Sequence, residues 1–247
     1  MEQHSWHIIG GDPLADALRQ AQTYVQPARE TVVITDAETI PEGAISTGRA
    51  MLVENSGTII PHLLAFQVVD EVRRATHAGE IGMLYGCYGS YRLPRGTSTE
   101  HIAHDALLPL LAVTLEIVQG DVTSVWARKA SLLTEGDAWF VTLNIDAIIV
   151  TLEALATADP PNTTELLIEV TGSEQVLRAE PTKQAITVAP FEAESRVHGW
   201  WEDLGERLLQ SVNALEDQPM TGSASRLQTV WKAVQESAGS GSPVTSG

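Results

Sequence analysis

The sequence predicts an α/β chain of the α+β kind: a truncated parallel α/β unit over residues 1–60, then an open, mostly antiparallel sheet flanked by helices over residues 61–240, then a flexible tail over residues 241–247. Three observations predict it. Between Asp121 and Val188, side chains of one character recur at every second position, as in Val122, Ser124, Trp126 and again in Trp139, Val141, Leu143, Ile145, which is the period of one face of a strand. Short turn signals separate these stretches at Glu135-Gly136-Asp137, Asp159-Pro160-Pro161-Asn162 and Thr171-Gly172-Ser173. Strands joined so closely pair antiparallel, because a parallel crossover needs about a dozen residues or more. The first 60 residues instead run strand, helix, strand, the order of a parallel α/β unit.

Taken in order, Trp6 to Ile9 is a short apolar strand, and Asp12-Pro13 caps and opens a helix to about Tyr24 whose Leu14, Ala17, Leu18, Ala21 and Val25 share one face. Thr31 to Thr35 and Met51 to Val53 read as strands. After Pro61 a helix with Leu64, Phe66, Val68, Val69 and Val72 on its apolar side stops at Ala78-Gly79. Met83 to Leu93 alternates as one long strand with glycine and serine on it, which predicts a backbone or ring lying close. Glu100 to Val118 is a leucine-rich helix, followed by the strands already named and by Ala147 to Val150, Leu166 to Val170 and Ile186 to Val188. Two further helices are expected, at Glu194 to Leu215 and Ser225 to Ala238, with their tryptophans as core anchors. Gly239 to Gly247 should fray.

Charge narrows the partners. With 15 Lys and Arg against 32 Asp and Glu the formal net charge is −17, so nucleic acid and an anionic membrane surface are both repelled. No run reaches the roughly 18 to 20 apolar residues that span a bilayer, and no basic-then-apolar leader opens the sequence; a soluble, unprocessed, cytoplasmic protein is expected. The single cysteine, Cys87, between strand residues, reads as a buried structural thiol.

Two places invite a chemical reading. Ile8-Ile9-Gly10-Gly11 suggests a phosphate-binding turn, but Asp12 puts a carboxylate where the phosphate would sit and the G-x-G-x-x-G spacing is absent, so no cofactor-binding residue is assigned. His101, His104 and Asp105 form the His-and-carboxylate cluster of the chain; the two histidines are i, i+3 on one helix face with Glu100 adjacent, which suits acid-base work or a metal. No third ligand follows at a convincing spacing, so no metal site is assigned, and the competing reading is a partly exposed helix start.

The order of Pro61, the helix ending in Gly79-Glu80-Ile81-Gly82, the strand through Gly89-Ser90-Tyr91, the leucine-rich helix before Gly120-Asp121-Val122-Thr123-Ser124-Val125-Trp126-Ala127, Gly172 in Glu169-Val170-Thr171-Gly172, and the closing helix Val230 to Ala238 resembles the Gfo/Idh/MocA oxidoreductases. The resemblance covers about residues 50 to 240. It implies an NAD(P)-binding Rossmann part and an open sheet that shapes a substrate site and packs against other subunits. Its lysine beside the nicotinamide would fall near Val33-Ile34-Thr35-Asp36, where no lysine stands, and its catalytic histidine and aspartate fall near Leu110 and Val113. These departures imply a shortened, catalytically eroded relative in which residues 1–60 are a truncated Rossmann-like unit and residues 61–240 the family's sheet domain.

Two functions follow as expectations. One is a non-catalytic protein of assembly or small-molecule binding, with no cofactor of its own. The alternative is an enzyme: an oxidoreductase of sugar-like substrates completing an NAD(P) site with another chain, or a metal-assisted enzyme using His101, His104 and Asp105. Apolar residues at both strand parities, Trp139, Val141, Leu143 and Ile145 against Phe140, predict a homo-oligomer through the sheet face.

Overall fold

In this computed structural model the described residues are 5–9, 13–27, 31–34, 50–53, 58–61, 67–132, 136–158, 165–181, 185–189, 194–197, 206, 209 and 221–245. The N-terminal unit begins with β1 (Trp6–Ile9), α1 (Pro13–Ala21) and β2 (Thr31–Ile34), and β1 pairs parallel with β2 from Trp6↔Thr31 to Ile9↔Ile34. Leu18 and Val33 are fully buried, and the Trp6 indole donates to the Val25 carbonyl at 2.8 Å, fixing the chain as it leaves α1. Antiparallel β3 (Ala50–Val53) and β4 (Thr58–Pro61) complete a four-stranded sheet in the order β1-β2-β3-β4. β4 is an addition to the sequence reading, which took Pro61 as opening a helix; a proline is accommodated at the end of an edge strand because no ladder partner there needs its missing N–H. Helix α2 (Gln67–His77) begins later and ends where expected. Gly10-Gly11-Asp12, Thr35 and Asp36 lie outside the described residues.

Among the described residues the second sheet has eight strands. β5 (Leu84–Pro94) leads through α3 (Thr99–Ile102), a π-helical turn (Ala103–Leu107) and α4 (Leu108–Ile117) to β6 (Val122–Leu132), β7 (Gly136–Ile145) and β8 (Ile148–Ala158), and the chain goes on through β9 (Glu165–Gly172), β10 (Val176–Glu180), β11 (Ala185–Ala189) and β12 (Glu194–Val197) to the long helix α5 (Thr221–Ser240). Their spatial order is β12-β11-β10-β9-β5-β8-β7-β6. Pairing is antiparallel except between β5 and β8, whose intervening helices supply the crossover that a parallel pair requires. β5 thus sits in the middle of a sheet whose other strands form two meanders, one on each side of it.

Alternation decides which face is buried. Val125 and Ala127 of β6, Trp139, Val141, Leu143 and Ile145 of β7, Val150, Leu152 and Ala154 of β8, Cys87 and Tyr91 of β5, and Ile168 and Val170 of β9 join α2, α4 and α5 in one core. The glycine in β5 has the predicted cause: a Cβ on Gly89 would stand 2.9 Å from the Leu110 side chain, so its absence lets α4 lie close on the sheet. On the opposite face Trp126 and Ile149 are 38% and 57% exposed. No described helix is long and apolar enough to cross a membrane.

Two expectations are corrected. Glu194 was expected to begin a helix, yet Glu194–Val197 is a strand paired with β11 from Ala185↔Val197 to Val188↔Glu194; the ladder groups on the open side of β11 override a local helical pattern. Of the rest of that predicted helix, only Glu206 and Leu209 are described, both helical, with Leu209 buried. The tail was expected to be flexible from residue 241, but Val244 forms an antiparallel bridge with Val125, because β6 is an edge strand with backbone groups to satisfy. Of the tryptophans expected as core anchors in the C-terminal helices, Trp231 is half-buried and packs against the core, while Trp200 and Trp201 lie outside the described residues.

Cys87 is buried as expected, and burial, with Glu169 as a smaller contribution, pushes its thiol up to about 12. Native Cys87 should therefore react with a thiol reagent at least roughly 10³-fold more slowly than in denaturant, following the loss of thiolate. Equal rates would show that β5 is open to solvent.

Candidate functional site

The predicted site residues lie where β5 has just left the sheet and the chain turns back over it. Ser98 caps α3: its hydroxyl accepts from the His101 N–H at 3.4 Å and lies 2.7 Å from His101 Nδ1. His101 is exposed and held by this cap. The next turn widens to a π-helix, with the Leu108 N–H bonded to the Ala103 carbonyl. Pro109 provides the local reason, since it cannot donate to the carbonyl four residues back at Asp105. Such turns recur at functional sites because they re-aim side chains.

His104 and Asp105 sit on this π turn, both half-buried. The His104 ring lies 6.0 Å from the Trp231 ring of α5, tilted by 58°, and Trp231 in turn lies 6.4 Å from Trp139. His104 Nδ1 is buried without a hydrogen-bond partner among the described residues. Around Trp139 the polar contacts are complete: its indole donates to the Thr99 carbonyl at 3.1 Å, and Lys129 Nζ stands 4.6 Å over its ring. Asp137 accepts from Thr99 Oγ1 and, at 3.0 Å, from Ser131 Oγ, and these two bonds hold its carboxyl below the ordinary carboxylate range. The structure thus places His104 with Trp231 and Trp139, while the ring of His101 is turned to Ser98. Among the described residues, no group of three or more His, Cys, Asp and Glu could hold a metal ion. Sequence reasoning missed Thr99, Asp137 and Trp231 as neighbours of the cluster: Asp137 and Trp231 are too far along the chain to leave a spacing signal, and Thr99, two residues before His101, was passed over as loop.

The two places to which the resemblance assigns a catalytic histidine and aspartate, Leu110 and Val113, are fully buried on α4, with Leu110 pressed onto Gly89.

A groove of about 620 Å³ opens at the other end of α4, lined by Gln119, Gly120, Asp121, Val122 and Thr123 and by Arg226, Thr229 and Val230 of α5. Its volume is in the range of small-molecule sites. Arg226 closes one wall by donating to the carbonyls of Leu115 at 2.7 Å, Val118 at 3.2 Å and Gly120 at 2.6 Å, the orphan acceptors at the end of α4. Burial lowers the pKa of Arg226, and Glu116, Asp121 and Asp146 oppose that shift. Burial raises Glu116, against Arg73, Arg226 and His77.

No protein-family model matches the sequence, and no curated protein matches it. Solved structures do. Levoglucosan dehydrogenase in its apo form superposes with a TM-score of 0.70 at 12% identity, over 99% of this chain and 80% of that one. An NAD binding oxidoreductase from Klebsiella pneumoniae gives 0.62 at 14% identity, over 76% of this chain and 65% of that one. An oxidoreductase domain protein from Kribbella flavida gives 0.59 at 16% identity, over 76% and 64%. The chain therefore spans less than two thirds of the length of the last two. At these identities the likeness shows the fold alone: a mixed α/β chain with a helix-flanked sheet like that of these oxidoreductases.

Proposed function

We propose that this chain is a non-catalytic relative of the NAD(P)-dependent Gfo/Idh/MocA oxidoreductases, acting in assembly and small-ligand binding through its sheet domain. The observation that carries the reading is the burial of Leu110 and Val113: where the resemblance asks for an imidazole and a carboxylate, apolar side chains pack under the sheet. The groove beside Arg226 is the place for the small ligand. Assembly uses the sheet face opposite the helices. There Trp126, Phe140, Ile149 and Leu167 share a surface on which Arg92, Arg128 and Arg178 stand against Glu153, Glu165, Glu169 and Glu180. That face is close to neutral on a chain of net charge −17, so a second copy meets less repulsion there than elsewhere.

Titration with NADH and NADPH, followed by energy transfer from the six tryptophans, tests the first half. No saturable signal is expected up to high micromolar cofactor; saturation in the micromolar range would overturn it. Sedimentation equilibrium tests the second: a dimer is expected that weakens in Ile149→Lys, and a single 26.6 kDa species at every micromolar concentration would end the assembly reading.

A second reading keeps His104 as an acid-base group with His101 and Asp105, and the unpartnered Nδ1 on a π turn favours it. Its test is an assay of the purified chain with sugar-like substrates, with and without NAD(P), and His104→Ala as control. Turnover lost in the variant would replace the non-catalytic reading by this one.

A further inference from the structure

The tail supplies an inference of a different kind. Among the described residues β6 is the last strand of the eight-stranded sheet, so one side of its backbone has no described strand to pair with. Val125 donates to the Val244 carbonyl and accepts from the Val244 N–H, both at 2.8 Å. Because outward-facing positions alternate, Ala127, Lys129 and Ser131 present their groups on the same side. The Ala127 N–H is satisfied by the Ser237 hydroxyl at 2.9 Å, and this hydroxyl donates to the Ser242 carbonyl at 2.8 Å. Ser237 is fully buried, so one side chain both covers an edge amide and holds the reversal that brings Val244 back along β6. The reversal has local causes: Gly241, at φ +70°, donates to the Ser237 carbonyl at 2.8 Å, and Pro243 disfavours helical backbone at Ser242 before it.

We propose that Gly241–Thr245 is an intramolecular edge strand that closes β6 to strand addition, and that its release opens a site for the same segment of a second copy of this chain. Charge selects this occupant. Two β6 edges facing each other would bring Arg128 and Lys129 of both copies together, whereas residues 239–247 carry no charge and Val244 of either copy makes the same pair of bonds. Main-chain pairing supplies the attraction, and the Gly-Ser-Gly sequence at residues 239–241 is the hinge on which the tail leaves.

The test uses Val244→Pro, which removes the donating N–H, and a fluorescent peptide with the sequence of residues 239–245. Saturable binding at millimolar peptide is expected for the variant, at least tenfold weaker for the native chain, with protection of the Val125 amide restored on binding. Equal binding to both chains, or none to the variant, overturns the proposal. Hydrogen exchange of the native chain gives a reading that needs no variant: Val125 and Val244 amides should exchange at one common rate, well ahead of the amides that β7 donates to β8. If Val125 exchanges as slowly as those, the tail does not open separately from the fold and the proposal fails.

Discussion

Gly172→Ala should be among the most damaging single-methyl substitutions in this chain. A Cβ at Gly172 would lie 2.0 Å from the Ile81 carbonyl oxygen and 2.9 Å from its carbon, a clash with backbone that no rotamer change relieves. Ile81 cannot retreat, because its carbonyl accepts from the Glu174 N–H at 3.1 Å while Ser173 donates to the Met83 carbonyl at 2.8 Å and Met83 donates to the Ser173 hydroxyl at 2.9 Å. Ile81 itself is fully buried, so the strain passes into the core under α2. Overpacking of this kind costs about 3 kcal/mol, the upper end of the usual range, which for a chain of this size lowers Tm by about 6–12 °C. Gly239→Ala is the control. Nothing lies within 4 Å of its would-be Cβ near the end of α5, so Tm should hold or rise slightly. Calorimetry of the two variants decides it, and a Gly172→Ala chain melting with the native protein would show that the turn at Ile81 is not in contact with the end of β9.

The same contact shows what could and could not be read in advance. Gly172 was legible as a turn signal, but the approach of Ile81 to it is a tertiary fact with no local trace. β7 was legible because one face is buried and the other is not, which writes a period of two into its residues; in β6 the alternation was read on the outer residues Ser124 and Trp126, and β8 was read from its β-branched run. Short β4, β10 and β12 left no such trace, and their ladders come from neighbouring strands. The central position of β5 was also hidden, since alternation marks a strand without naming its partners. At the candidate site, His101, His104 and Asp105 stood out by residue type. Trp231 comes to the His104 ring only through the packing of α5, and the π turn that aims His104 follows from Pro109, whose effect was readable but not read.

Arg226→Met should be the most destabilising change outside the strands. The guanidinium is the cap of α4, and its loss strands three carbonyls, those of Leu115, Val118 and Gly120, at a helix end packed against α5. Methionine keeps much of the apolar stem, so the comparison isolates the hydrogen bonds. Bonds from a charged donor contribute about 1.5–3 kcal/mol each, and allowing for water reaching part of this site the loss should be about 3 kcal/mol. The variant also deprives Glu116 of a favourable cation. Burial already raises Glu116, so its contribution to stability is present while it is protonated, below its unfolded pKa, and is lost as pH rises through its folded pKa. Removing Arg226 raises that folded pKa further. The penalty of Arg226→Met should therefore be larger near pH 7.5 than near pH 5, with Arg226→Lys restoring the charge but not the three-way geometry and recovering only part of the loss. Denaturant midpoints at the two pH values measure this directly. A penalty independent of pH would mean that Glu116 does not sense the guanidinium, and no penalty at all would mean that water caps α4 as well as Arg226 does.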